Sequence, residues 1–229
     1  MSITITVGTR PSRLALKQVE EVGLQAQQKI HGIYFKVITI ATDGDQDKTT
    51  AFSLREGSDF FTRQIDEALI KGDIDCAIHS AKDLADNLDE RLSIAAITAP
   101  IDQHEVLISK GKCTLEQLPR GVIIGTSSQR RKEQLQKYRS DIKIVDIRGN
   151  IEERLALLGT APHLDAIVIA AAGLIRLGLE HRITQRLCPL RFAPHPLQGR
   201  LAVLTRKDDI QLQKIFSVLD TRNKSEVGK

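Results

Sequence analysis

VIIGTSSQRRKEQLQKYRSDIKIVDIRGNIEERLALL, residues 122–158, alternates strand and helix twice. Val122-Ile123-Ile124-Gly125 is a short apolar run, and Thr126, Ser127 and Ser128 then supply hydroxyls at a helix start. Arg130 and Arg131 follow in the first turn. The pattern repeats with a strand over 142–147, a turn at Arg148-Gly149-Asn150, and Arg154 in the next helix. Arginine in a first turn opposes the helix dipole, so four of them at strand–helix junctions need another reason. Helix N-termini expose unpaired N–H groups that favour anions, and guanidinium groups grip carboxylates or phosphates with two prongs. The stretch predicts a site for a ligand rich in carboxylate or phosphate.

The rest of the chain fits around it. Its 229 residues suit two smaller domains, with enough apolar content (41%) for packed cores. Aromatics are scarce, with no Trp, two Tyr and six Phe, which argues against stacking single-stranded nucleic acid. Net charge is only +4, so the basic bias is local. Cys76, Cys113 and Cys188 lie far apart without metal-ligand spacing, as expected of free thiols in a reducing compartment. The start, MSITITVGTR, lacks signal-peptide features, and the apolar run 166–175 is too short to span a bilayer. These features predict a cytoplasmic protein without metal, membrane or nucleic-acid partners, and a monomer.

Strand and helix signals alternate along the chain. Residues 3–7 read as a strand; Ala15, Val19, Val22, Ala26 and Ile30 then form one helical stripe. Further strands are expected over 34–41, 74–78, 92–97 and 201–205, with helices around 61–69 and 210–219. A polar loop spans 42–57. Such alternation predicts α/β domains with parallel sheets covered on both faces, whose ligands bind beyond the carboxyl ends of the strands. Ala99-Pro100-Ile101-Asp102 and the proline-rich 189–196 read as two crossovers. They divide the chain into domain 1 (1–99 plus 197–229) and domain 2 (104–192), with hinges near 100–103 and 189–196 and a ligand cleft between.

A second segment, Ile78-His79-Ser80-Ala81-Lys82-Asp83-Leu84, closes an apolar strand. His79 and Ser80 are adjacent, so strand alternation sends them to opposite faces and a Ser–His nucleophile is not expected. Asp83 reads either as a surface partner of Lys82 or as a lone acid among bases, able to steady a developing cation and shuttle a proton.

Taken in order, Gly8-Thr9-Arg10-Pro11-Ser12-Arg13-Leu14-Ala15, His79-Ser80-Ala81-Lys82-Asp83, Gly125-Thr126-Ser127-Ser128-Gln129-Arg130-Arg131, Arg148-Gly149-Asn150 and the run from Ala170 through Arg176 to Gly178 make a composite signature. The chain resembles the porphobilinogen deaminase (hydroxymethylbilane synthase) family of the tetrapyrrole pathway, from about residue 5 to 209. The resemblance implies two periplasmic-binding-protein-like domains with a cleft. It also implies head-to-tail condensation of four porphobilinogens with release of ammonia, producing linear polypyrroles rich in carboxylate. Arg10, Arg130, Arg131, Arg148, Arg154 and Arg176 match the family's carboxylate-binding arginines, with Ser12, Ser80, Lys82, Thr126, Ser127, Ser128, Gly149 and Asn150 around them. Asp83 matches the catalytic aspartate, which bonds pyrrole N–H groups and stabilises the azafulvenium cation left when ammonia departs. Asp45 and Gln198 match further cofactor- or cleft-facing positions.

The resemblance also implies a dipyrromethane cofactor held by the cysteine of a third, C-terminal domain, whereas this sequence stops at Lys229 with no matching attachment cysteine. Gly57-Ser58-Asp59-Phe60-Phe61 stands where the family usually has a lysine between two glycines. Ala85 replaces a proline and Leu197 a glycine. These departures leave three readings: a short deaminase with its primer held without a bond or on Cys188, a non-catalytic pyrrole-binding relative, or a polyanion-binding module of the same fold.

Overall fold

The computed structural model describes residues 2–46 and 62–222, the side chains of residues 45 and 46 excepted. In chain order the elements are β1 (Ile3–Thr9), α1 (Arg13–Lys29), β2 (Ile33–Thr39), α2 (Asp43–Gln46), α3 (Arg63–Lys71), β3 (Cys76–Ser80) and β4 (Leu92–Ile97). They continue as β5 (Glu105–Ser109), β6 (Ile123–Gly125), α4 (Gln129–Tyr138), β7 (Lys143–Val145), α5 (Ile151–Thr160), β8 (Ala166–Ala170), α6 (Ala171–Arg176) and β9 (Gln185–Arg186). β10 (Leu201–Arg206) and α7 (Ile210–Ser217) complete the set. The chain forms two compact units, one of residues 102–198 and the other of the described residues outside that span.

The first unit is built on a sheet of order β2-β1-β3-β10-β4. β1 pairs in parallel with β2 and β3, while β10 runs antiparallel to β3 and β4. α1 forms because its apolar stripe recurs at helical spacing: Ala15, Val19, Val22 and Ala26 are buried as expected, together with Gln18. This stripe and Phe216 of α7 pack with Ile5, Val7, Cys76, Ile78 and Val203 on one face of the sheet. On the other face lies α3, with Ile65 and Leu69 fully buried. Gly8 permits that packing: a Cβ there would stand 2.3 Å from Ile74 Cδ1 and 3.4 Å from Ile65 Cγ2.

The second unit repeats the plan with a sheet of order β7-β6-β8-β5-β9. β6 is parallel to β7 and β8, and β5 is antiparallel to β8 and β9. Side-chain alternation divides its core cleanly. Ala166 and Val168 of β8 and Leu107 of β5 face Leu135 of α4, while Ile167, Ile169, Val106 and Ile108 face Leu155 and Leu158 of α5. Gly125 is the counterpart of Gly8, since a Cβ there would meet Ile147 Cγ2 at 2.7 Å.

The sheets correct the expectation of all-parallel pairing: β5 and β10 each run antiparallel in the interior of a sheet. A strand buried on both faces reads as an apolar run whichever way it points, so composition carries no direction. β5 and β9 were not expected at all. β3 lies two residues later than the pattern suggests, because Asp75 forms the entry, its carboxylate accepting the N–H of Thr6 at 2.7 Å. The apolar run 166–175 proves to be a strand and a helix, β8 followed directly by α6.

Candidate active site

In the first unit, two parallel strands deliver the chemistry side by side. β1 ends at Thr9, and the next residues carry Arg10 and Ser12 into α1. Ser12 caps that helix, its Oγ accepting the N–H of Ala15 at 3.2 Å. β3 ends at Ser80 and turns through a single 3-10 turn, Ala81–Asp83. Ser80 Oγ accepts a hydrogen bond from Gln18 Nε2 of α1 at 2.8 Å, tying the end of β3 to that helix. Thr9, Arg10, Ser12, His79, Ser80 and Asp83 border a pocket of about 60 Å³. Asp83 has no ion pair or hydrogen bond among the described residues, so the alternative of a Lys82–Asp83 surface pair drops away. Lys82 is half-buried beside it.

His79 and Ser80 do point to opposite faces, Ser80 to Gln18 of α1 and His79 to Asp66 of α3. Burial, reinforced by the positive charge of Arg10, lowers the His79 pKa to about 4. Although its Nε2 lies 3.9 Å from Asp66 Oδ1, a neutral imidazole at that distance makes no ion pair, and neither atom has a hydrogen-bond partner.

In the second unit the parallel strands β7, β6 and β8 each run into a helix, giving α5, α4 and α6. Thr126 and Ser127 are buried after β6. Ser127 Oγ donates to Ile147 O and accepts the Ile147 N–H at 3.1 Å, locking the two neighbouring loops in register. Thr126 Oγ1 is buried without a partner, as is Thr9 Oγ1 at the equivalent strand end of the first unit. Ser128 occupies the N-cap of α4, but its side chain makes no capping bond. After β7, Arg148 is half-buried with no ion pair or hydrogen bond among the described residues. Gly149 takes φ +93°, a left-handed conformation that leaves space for Glu153. Asn150 then closes a capping box, accepting the Glu153 N–H at 2.8 Å while Glu153 Oε2 accepts the Asn150 N–H at 2.8 Å. Arg154 Nε donates back to Gly149 O at 2.9 Å.

The arginine pair differs from expectation. Glu105, at the start of β5 and wholly buried, accepts hydrogen bonds from Arg130 Nη2 and, at 2.8 Å, from Arg131 Nε. Arg130 also donates to Ala193 O, which leaves its fork little for a ligand. Glu105 thus supplies the negative charge that α4 lacks in its first turn and explains how two arginines are tolerated there. The sequence reading missed it, because an acid opening a short apolar strand has no distinctive spacing.

Other expected positions fall further afield. Arg176 closes α6, at the opposite end of that helix from the strand terminus. Gln198 is fully buried, its Nε2 donating to Gln103 O at 2.8 Å and His104 O at 3.3 Å, so it clasps the backbone of the crossover. Asp45 lies in the backbone of α2, its side chain outside the described residues, as are Ser58 and Asp59.

A family model described as porphobilinogen deaminase, dipyromethane cofactor binding domain, matches residues 5–214. The chain belongs to the porphobilinogen deaminase family. It is 41% identical over 216 residues to the porphobilinogen deaminase of Natranaerobius thermophilus, covering 94% of this chain and 70% of that one. To the porphobilinogen deaminase of Deinococcus radiodurans it is 42% identical over 221 residues, covering 95% and 71%. Among solved structures, the methionine binding protein MetQ matches with a TM-score of 0.53 at 19% identity, over 94% of this chain and 89% of that one. The periplasmic VFT2 domain of BvgS from Bordetella pertussis gives 0.52 at 15% identity, over 93% and 85%. At such identities the likeness concerns fold alone, and it covers both units of this deaminase-family chain.

The donor set of the second unit fits the carboxylates of a dipyrromethane: an orphaned buried hydroxyl on Thr126, unpaired charge on Arg148, and terminal nitrogens of Arg131 that no described residue engages. The thiols fit its covalent attachment less well. Cys76 is sealed in the core with its pKa driven up by burial and by Asp75, and Cys113 is half-buried; Cys188 is exposed. Among the described residues no helix is long and apolar enough to cross a membrane.

Proposed function

We propose that this chain carries out the porphobilinogen deaminase reaction, joining porphobilinogens head to tail with loss of ammonia. The observation that carries the reading is Asp83, a carboxylate with no ion pair or hydrogen bond among the described residues, bordering the same pocket as Arg10 just beyond a strand pinned to α1. A binding site for polycarboxylates needs bases; an acid among them repels such a ligand unless a cation or N–H donor of that ligand meets it. Asp83 accepts the pyrrole N–H groups and stabilises the azafulvenium cation as the amine leaves. It then takes part in the proton transfers that restore the aromatic ring. Arg10, Arg131 and Arg148 hold acetate and propionate groups, assisted by Thr126, Ser128, Lys82 and Arg154, while Ser127 fixes the loop that presents them; Arg130 supports from behind. A bound dipyrromethane would be held by the same donors in the second unit and would supply the terminal pyrrole carbon that primes elongation. Crossovers near 100–103 and 189–196 serve as the hinges of the enzyme.

Equilibrium titration with porphobilinogen, combined with ammonia release, tests the proposal. Binding and release by the parent chain, with release lost but binding kept in Asp83→Asn, support it; binding without release by the parent chain makes the protein a pyrrole-binding relative instead.

A further inference from the structure

Glu105 is the most deeply buried carboxylate of the second unit, with 0% side-chain exposure. Its Oε1 accepts a hydrogen bond from Arg130 and its Oε2 one from Arg131. Its placement follows from the sheet: Glu105 opens β5 opposite Ala170, the last residue of β8, so its side chain emerges at the strand ends where α4 begins. Arg131 is itself only 8% exposed, and the bond to Glu105 consumes Nε alone. Its Nη1 and Nη2 engage no described residue. A guanidinium offers two bidentate edges, one through Nε and one through the paired terminal nitrogens. With Nε engaged from behind, the terminal pair is the edge left for a ligand.

We infer that Glu105 is a positioning residue for this reaction: it holds Arg131 so that the Nη1/Nη2 edge faces a pyrrole carboxylate, with Arg130 as a brace. The inference rests on the proposed function, because it assumes that Arg131 meets substrate carboxylates. Two effects of Glu105 oppose each other. Its charge reduces the local positive field and weakens anion binding, whereas its geometry pre-pays the immobilisation of a flexible side chain. For a guanidinium only 8% exposed the geometric effect dominates, since misalignment forfeits both prongs at once.

The test is a double-mutant cycle read by calorimetric titration with porphobilinogen, in an Asp83→Asn background so that no turnover occurs. Glu105→Gln, Arg131→Leu and the pair are compared, each with a thermal melt to verify folding. The expected result is an affinity loss of roughly tenfold or more in Glu105→Gln, with no further loss from Glu105→Gln once Arg131 is leucine. Tighter binding in Glu105→Gln would overturn the inference by showing that charge neutralisation is the main effect. Unchanged affinity with a lowered melting temperature would overturn it by making Glu105 a structural ion-pair partner only. Additive losses would overturn the route through Arg131. If Glu105→Gln fails to fold, Arg130→Leu replaces it: loss of the brace is expected to weaken binding only while Arg131 is present, and additivity again overturns the inference. If Arg131→Leu itself leaves affinity unchanged, or the parent chain does not bind, the carboxylate-site reading fails first and the positioning role falls with it.

Discussion

His79 Nε2 stands 3.9 Å from Asp66 Oδ1, and both atoms are buried without a hydrogen-bond partner. Burial, aided by Arg10, keeps the imidazole neutral down to about pH 4, whereas an unfolded chain protonates it near 6.5. The folded pKa is therefore the lower one. Stability is unaffected above pH 6.5, falls as pH drops through the window between the two values, and levels off below about 4. Across the window the loss is on the order of 3 kcal/mol. Urea unfolding of the parent chain and of His79→Gln, at pH 7 and pH 5, checks this. The variant should lose most of the pH dependence, and an equal slope in both would remove His79 as its source.

Gly149 is held at φ +93°, and a Cβ there would come 2.3 Å from Glu153 Oε2 and 2.9 Å from its Cβ. Gly149→Ala must therefore strain the backbone and open the Asn150–Glu153 capping box. A loss of about 1–3 kcal/mol is expected. Because Arg148 precedes this turn, affinity for porphobilinogen should fall as well, while Gly159→Ala, a helical site with open space beside it, should leave affinity unchanged and raise stability by up to about 1 kcal/mol.

Arg148 makes no ion pair or hydrogen bond among the described residues, whereas Arg131 anchors to Glu105. Removing each has a different signature. Arg148→Leu should weaken binding with little change in melting temperature. Arg131→Leu should weaken binding and also destabilise the fold by about 1–3 kcal/mol, since it removes one of the charged hydrogen bonds of a buried carboxylate that Arg130 still holds. Equal thermal stability of the two variants would contradict this division.

Much of this was legible in the sequence, for identifiable reasons. The stripe from Ala15 to Ala26 and the Gly125–Ser128 turn are local patterns, set by helical period and by strand-end chemistry, and they appear where expected. Antiparallel β10 and β5 are long-range pairings; β10 joins β3 and β4 from more than a hundred residues away, and nothing in Leu201–Arg206 announces its direction. The site divides in the same way. Arginines placed at helix starts were visible, but the acid that reconciles two of them with the helix dipole arrives from the start of β5, 25 residues earlier in the chain and across β8 from β6 in the sheet. Ser12 and Asn150 turn out to cap helices, and Gln198 to clasp backbone, roles that spacing alone cannot separate from ligand contact.

The most direct measurement is ammonia release from porphobilinogen by the purified chain, followed together with uroporphyrin formation, beside Asp83→Asn. Release and uroporphyrin are expected from the parent chain, with a loss of at least about a hundredfold in the variant, the scale of a missing acid–base group. Equal rates in the two proteins would contradict the role given to Asp83, and no release from a chain that still binds the pyrrole would contradict the enzymatic reading as a whole.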